Sequence, residues 1–212
     1  MKRRLALSKE VGLKRFFPNA ISRSALGALC ALTLITGCSA AMTPLSLLGE
    51  GRVVRNTFPL KFKRHNFDAF CYNVIGCKVL YANMYVVKDG DDEVSPPPPP
   101  QLLKNMSATY IGIENFPPPA VVTWRSLDGV PHEAKIDIGA IFKDQRILHH
   151  VPEDDIPTET AAFDGAQIIL LVIDRTVSVY MKTTIYLRKP RDPSNPLSNT
   201  AHETTLAYTR TY

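Results

Sequence analysis

Two adjacent histidines, His149 and His150, stand just ahead of the acidic run Glu153-Asp154-Asp155, and a base beside an orienting carboxylate is the raw material of general acid–base chemistry. The spacing works against that reading. Neighbours on an extended segment project to opposite faces, so the two imidazoles do not share one substrate or one metal. No HExxH motif, no His-x-His pair, no GxSxG elbow and no phosphate-cradling glycine loop occurs in the 212 residues. A second acidic run, Asp89, Asp91, Asp92 and Glu93, lacks the alternation and the closing glutamate of an EF-hand calcium loop. These residue types predict no metal site, no cofactor and no catalytic residue.

Sulfur carries the more informative chemistry. The stretch Ile35-Thr36-Gly37-Cys38 closes an uncharged apolar run that begins near Ser24, and it resembles a bacterial lipobox. The resemblance implies signal cleavage between Gly37 and Cys38 and attachment of lipid, including a palmitate-type acyl chain, to the Cys38 sulfur. The flanking pattern agrees with an export signal: seven Lys and Arg against the single acid Glu10, then an apolar run too short to span a bilayer comfortably. One acyl chain anchors only marginally, so stable attachment needs two or more. Cys30 falls in the removed segment, which leaves Cys71 and Cys77. In an oxidising compartment this even pair is expected to form a disulfide, contributing about 2 kcal/mol by loop entropy. A metal pair or a redox pair is the alternative, and neither a CxxC motif nor a nearby ligand-spaced histidine favours it.

The export signal also accounts for the charge. The chain as a whole carries 25 Lys and Arg against 20 Asp and Glu, net +5; without residues 1–37 it carries 18 against 19, net −1 over 175 residues. Basicity is therefore no argument for nucleic acid, and none is expected as a partner.

The elements that would position these groups read as strands. Residues 38–57 form a small and polar tether, and residues 58–212 a single β-rich periplasmic domain. Pro59 to Arg64 alternates apolar and basic as a half-buried strand does, and Val79-Leu80-Tyr81 with Met84 to Val87 reads as one bulged strand or a hairpin. Residues 88–103 hold the acidic cluster and five consecutive prolines, Pro96 to Pro100, which cannot join a sheet and extend as polyproline II. They are expected either to project as an acidic arm or to form a solvated insertion. Thr109 to Ile113 is a further strand. Val121 to Ser126 and His132 to Ile138 flank Asp128-Gly129, a hairpin signal, with Trp124 expected in the core. Gly139 to Asp144 suggests a helical turn. Gln167 to Ile173 reads as a strand buried on both faces, followed after two residues by a long strand with Val177, Val179 and Met181 inward, and Thr204 to Tyr212 closes the chain. Together these predict an all-β fold, an antiparallel β-sandwich with long polar loops at 88–108, 144–166 and 188–203.

The blocks 58–81, 110–144 and 173–181 resemble a group of bacterial lipoproteins that look like immunity proteins encoded beside type VI secretion effectors, notably lipases and phospholipases acting in the periplasm. The resemblance implies a membrane-anchored protein that neutralises a secreted effector by occlusion, and it carries over no catalytic residue. A structural lipoprotein of the envelope or secretion apparatus is the alternative, and an enzyme the least expected. The expected location is the cell envelope, held by the N-terminal lipid. Ser39 replaces the aspartate linked to inner-membrane retention, which favours the outer membrane facing the periplasm.

Overall fold

The computed structural model describes residues 53–161 and 165–212. Gly37, Cys38, the export segment and the tether as far as residue 52 lie outside the described residues. In chain order the strands are β1 (Val53–Arg55), β2 (Arg64–Tyr72), β3 (Val74–Tyr81), β4 (Met84–Lys88), β5 (Tyr110–Glu114), β6 (Ala120–Ser126), β7 (Pro131–Ile136), β8 (Glu159–Ala161), β9 (Ala166–Ile173), β10 (Thr176–Tyr186) and β11 (Thr200–Thr211). Short helices α1 (Leu102–Asn105) and α2 (Ile138–Ile141) interrupt them. None of the described helices is long and apolar enough to cross a membrane.

Two sheets face one another. One has the order β11-β10-β9-β2-β5, the other β4-β3-β6-β7, and β1 pairs with β8 in a small third ladder. The fold is all-β, as the alternation implies. One pairing departs from the antiparallel expectation: β2 runs parallel to β9, with His65 opposite Ala166 and Tyr72 opposite Ile173. Alternate residues of the larger sheet point inward, Phe67 and Ala69 from β2, Ile168, Leu170 and Val172 from β9, and Val177, Val179 and Met181 from β10. Val79 and Tyr81, Val122 and Trp124, and Ala134 and Ile136 meet them from the other sheet. Each large side chain fully removed from water contributes about 1.5–3 kcal/mol.

Two sequence expectations need correcting, and one alternative is resolved. Pro59 to Arg64 does not form a sheet strand. Leu60 and Phe62 are buried as its alternation predicts, but they pair only with the segment around Arg146, through Phe62 N to Gln145 O (2.9 Å) and Ile147 N to Leu60 O (2.9 Å). The strand proper starts at Arg64, where the polar residues Asn66 and Asp68 on the outer face and His65 on the inner face hide the apolar alternation. Val79 to Val87 resolves into a hairpin turning at Ala82 and Asn83, both with positive φ (49° and 62°). The acidic arm does not project. Gly76 N donates to Glu93 O, Ser95 N to Val74 O and Asn73 N to Pro96 O, which pins the segment along the start of β3. Gly76 has φ of +63°, and a Cβ there would run into the carbonyl of Asp91, so the close approach requires glycine. Past the prolines the chain crosses to the outer face of the larger sheet, where Met106 is buried against Ile169 and Leu171, with Leu102, Leu103, Phe70 and Tyr180 around them. Residues 88–108 thus form a strap that gives that face an apolar cover.

Candidate functional site

The two cysteines lie on different sheets. Cys71 is the last residue but one of β2 and Cys77 sits in β3, with the chain switching sheets at Asn73 (φ 52°) between them. Their sulfurs are at bonding distance and their Cα atoms 6.5 Å apart, so the pair staples one sheet to the other at its corner.

His149 and His150 diverge, as neighbours on an extended segment must. His150 Nδ1 meets Glu203 Oε2 at 2.9 Å on the surface, while His149 turns toward a groove of about 650 Å³. The groove exists because the segment from Ile138 to Ile156 closes the side of the sandwich with scattered apolar anchors. Ile138, Phe142, Ile147 and Ile156 are buried in the main core, and Leu148 N reaches Met181 Sδ at 3.1 Å. Asp137 caps α2 by accepting from Ala140 N (2.9 Å), which starts this segment at a fixed angle. Phe142, Leu148 and Val151 supply apolar walls, Arg146 and Glu153 charge, and Thr205 of β11 the far side. His149 Nδ1 and Thr205 Oγ1 are both shielded from solvent and have no hydrogen-bond partner among the described residues, a cost of about 1–3 kcal/mol each.

Two of the three long loops come together beside this groove, although β11 starts at Thr200 and β8 at Glu159, earlier than the loop bounds expected from sequence. Arg188 N donates to Asp155 O (2.7 Å), its Nε to Asp154 O (3.1 Å) and its Nη2 to Ile156 O (3.0 Å), so the loop between β10 and β11 is clamped onto the segment that precedes β8. A second, smaller cavity of about 250 Å³ lies between them, bordered by His150, Leu187, Arg191 and Glu203. The 88–108 loop lies elsewhere. Its acids are partnered locally, Asp91 with Lys78 (2.5 Å) and Asp92 with Arg125 (2.8 Å), and those contacts hold Asp91 below the usual carboxylate range.

Two polar clusters escaped sequence reading. His65 is fully buried among Phe62, Phe116 and Tyr81, with Nδ1 2.7 Å from Asn115 Oδ1 and Nε2 3.0 Å from the Tyr81 hydroxyl. Its three members are 50 and 16 residues apart in sequence, so no local pattern announces them. At the β6–β7 turn, Ser126, Asp128 and His132 assemble a set of the types used for acyl transfer, but with different wiring. The buried Ser126 hydroxyl donates to Asp128 Oδ1 (2.5 Å), which lowers the Asp128 pKa, and so its oxygen can only accept from His132 Nε2 (3.0 Å). A histidine that donates to the serine cannot also take its proton. Arg175 of the neighbouring hairpin closes on Asp128, and Trp124 Nε1 donates to Asp174 O (2.7 Å). The cluster ties two turns together. Trp124, stacked on His132, lies in the core as expected. No three His, Cys, Asp or Glu side chains among the described residues converge as a metal site would require.

No family model matches this chain, and no curated protein or solved structure does so either.

Proposed function

We propose that this chain is a lipid-anchored binding protein of the bacterial envelope, and that it neutralises a secreted effector of the lipase or phospholipase class by covering it. The observation that carries this reading is the clamp of Arg188. It fixes the loop that follows β10 to the segment that lines the His149 groove, so that Leu187 and Arg191 continue the surface beside that groove, with a rigid sandwich behind it. Binding residues tend to sit on loops held by such a scaffold. The unpartnered His149 Nδ1 and Thr205 Oγ1 bordering the groove supply a reason for an occupant, since a modest opening that admits a polar group relieves both. Attachment through Cys38 keeps the surface at the membrane, where a lipid-cleaving effector works.

The test is protection. Cells expressing the full chain should survive delivery to the periplasm of the effector encoded beside it, and the Arg188→Ala chain should protect measurably less at equal abundance. Failure of the native chain to protect against any neighbouring gene product, with no complex recovered by pull-down, would refute the reading.

A further inference from the structure

The geometry points to a symmetric dimer of this chain, in which β11 of one copy pairs antiparallel with β11 of another and two five-stranded sheets merge into one. β11 is the edge strand of the larger sheet and, at twelve residues, the longest strand among the described residues. Exposed edges present unpaired N–H and C=O groups, and proteins blunt them with brevity, proline, lysine, bulges or inward-pointing charge. The other edges use the first devices: β4 and β5 have five residues each, β5 carries Gly112 at φ +74°, and β7 opens on Pro131. β11 contains no Pro, Gly or Lys, and the bulge and inward charges it does carry are of a kind that a second copy of the same strand complements. Among the described residues its backbone bonds only to β10, and none of them pairs with the other side of the strand.

The sequence of β11 fits a second copy of itself in one register. Its ladder to β10 shifts between Val179 and Tyr180, where Val179 faces Tyr208 and Tyr180 faces Leu206, so Ala207 is an extra residue. Without it, Glu203 and Arg210, seven apart, would lie on opposite faces. With it, both lie on the inward side, opposite Thr183 and Val177 of β10. A two-fold axis between Leu206 and Ala207 then sets Glu203 of each copy against Arg210 of the other, and Thr204 against Thr209. Both strands carry the same extra residue, so they pair one to one through the centre. Opposite charges placed directly across a ladder favour the pairing, and like charges oppose it. Glu203 is already fixed under the edge by His150, and Arg210 lies against the Tyr212 ring at 4.8 Å. This inference is independent of what the groove binds.

The experiment uses the full chain in its own membrane. Thr204→Cys with Thr209→Cys places two sulfurs directly opposite across the axis, where paired Cα atoms are about 4.5–5.5 Å apart, a disulfide distance. Within one chain the two positions are about 16 Å apart along the strand and cannot bond. A non-reducing gel should show a species of twice the chain mass, at least fivefold above either single variant and above the chain with native cysteines only. Arg210→Glu added to the pair should reduce it at least fivefold, and Glu203→Arg added to that should restore it. Absence of the doubled species overturns the inference. So does an equal yield from the single variants, indifference to Arg210→Glu, or a cross-linked species of another mass, as a strand from an unlike partner would give.

Discussion

His65 shows how a single buried group sets a pH limit on this fold. Asn115 Nδ2 donates to Phe62 O (2.9 Å), so its Oδ1 faces His65 Nδ1, and that nitrogen must carry the imidazole proton. Nε2 is then bare and accepts from the Tyr81 hydroxyl, which stays protonated because burial, assisted by Asp137, pushes its pKa far up. A second proton on His65 would place a cation among aromatic rings, facing a hydroxyl already committed as donor. Burial accordingly lowers the pKa of His65, with the Asn115 bond offsetting part of the shift. The unfolded chain takes up a proton as the pH falls through the ordinary value of 6.5, and the native state does not. Stability is therefore fully present above about pH 6.5 and declines below it, by at most about 1.4 kcal/mol per pH unit from this group, down to the lowered native pKa. Urea midpoints at pH 7.5 and pH 5.0 should differ for the native chain. His65→Gln keeps one donor and one acceptor without a titratable nitrogen, so it should shrink that difference, and an unchanged pH dependence would contradict the assignment.

Two connections join elements that the strand ladders leave separate. The Cys71–Cys77 link and the turn at Asn73 tie the end of β2 in one sheet to β3 in the other. Closing so short a loop contributes about 2 kcal/mol, so reduction should lower the urea-extrapolated stability by about that amount, and Cys71→Ser with Cys77→Ser by more, because Cys77 is fully buried and a hydroxyl there adds its own cost. The strap is held differently. Lys182 reaches from β10 with its ammonium donating to Lys104 O (3.3 Å) and Met106 O, and burial lowers its pKa. Lys182→Met removes both bonds and should cost about 1–2 kcal/mol. The amides of Lys104 and Met106 should lose hydrogen-exchange protection before those of β9 do, because the strap can lift while the sheet persists. Equal loss in both would mean that strap and sheet open as one unit. The strap was also the hardest element to read. Its acids and prolines describe a solvated insertion, and only Leu102, Leu103 and Met106, three apolar residues after a long polar run, hint that the chain returns to cover a face.

At the scale of the molecule, legibility followed the range of the interactions. The β6–β7 and β9–β10 hairpins were readable because alternation and an Asp-Gly or two-residue turn are local signals. The larger sheet's central pairing was not, since β2 sits beside β9, about a hundred residues away, and its inner face includes a histidine. The groove was not readable either, because its walls come from Pro59, the 141–153 segment and Thr205, and Arg188 fixes the chain just beyond it through backbone carbonyls that any sequence possesses. What the sequence does bound is how far the start of the domain can lie from Cys38. Cys38 and Val53, the first described residue, are fifteen positions apart, and a chain of that length spans at most about 50 Å when fully extended. If the Cys38 sulfur bears the lipid, the start of the domain stays within that layer and meets a membrane-bound effector at a raised effective concentration. On the proposed reading, Cys38→Ser removes the anchor without touching any described side chain. The altered chain should leave the membrane fraction as an uncleaved precursor, while its domain still captures the effector in a pull-down. Protection of cells should fall at least about tenfold in the effector dose tolerated, the order of gain that tethering provides. Capture and protection must therefore separate in this variant: undiminished protection with the protein free of membrane would place the whole effect in the groove and none in the anchor, and loss of capture would mean that the segment ahead of Val53 belongs to the binding surface.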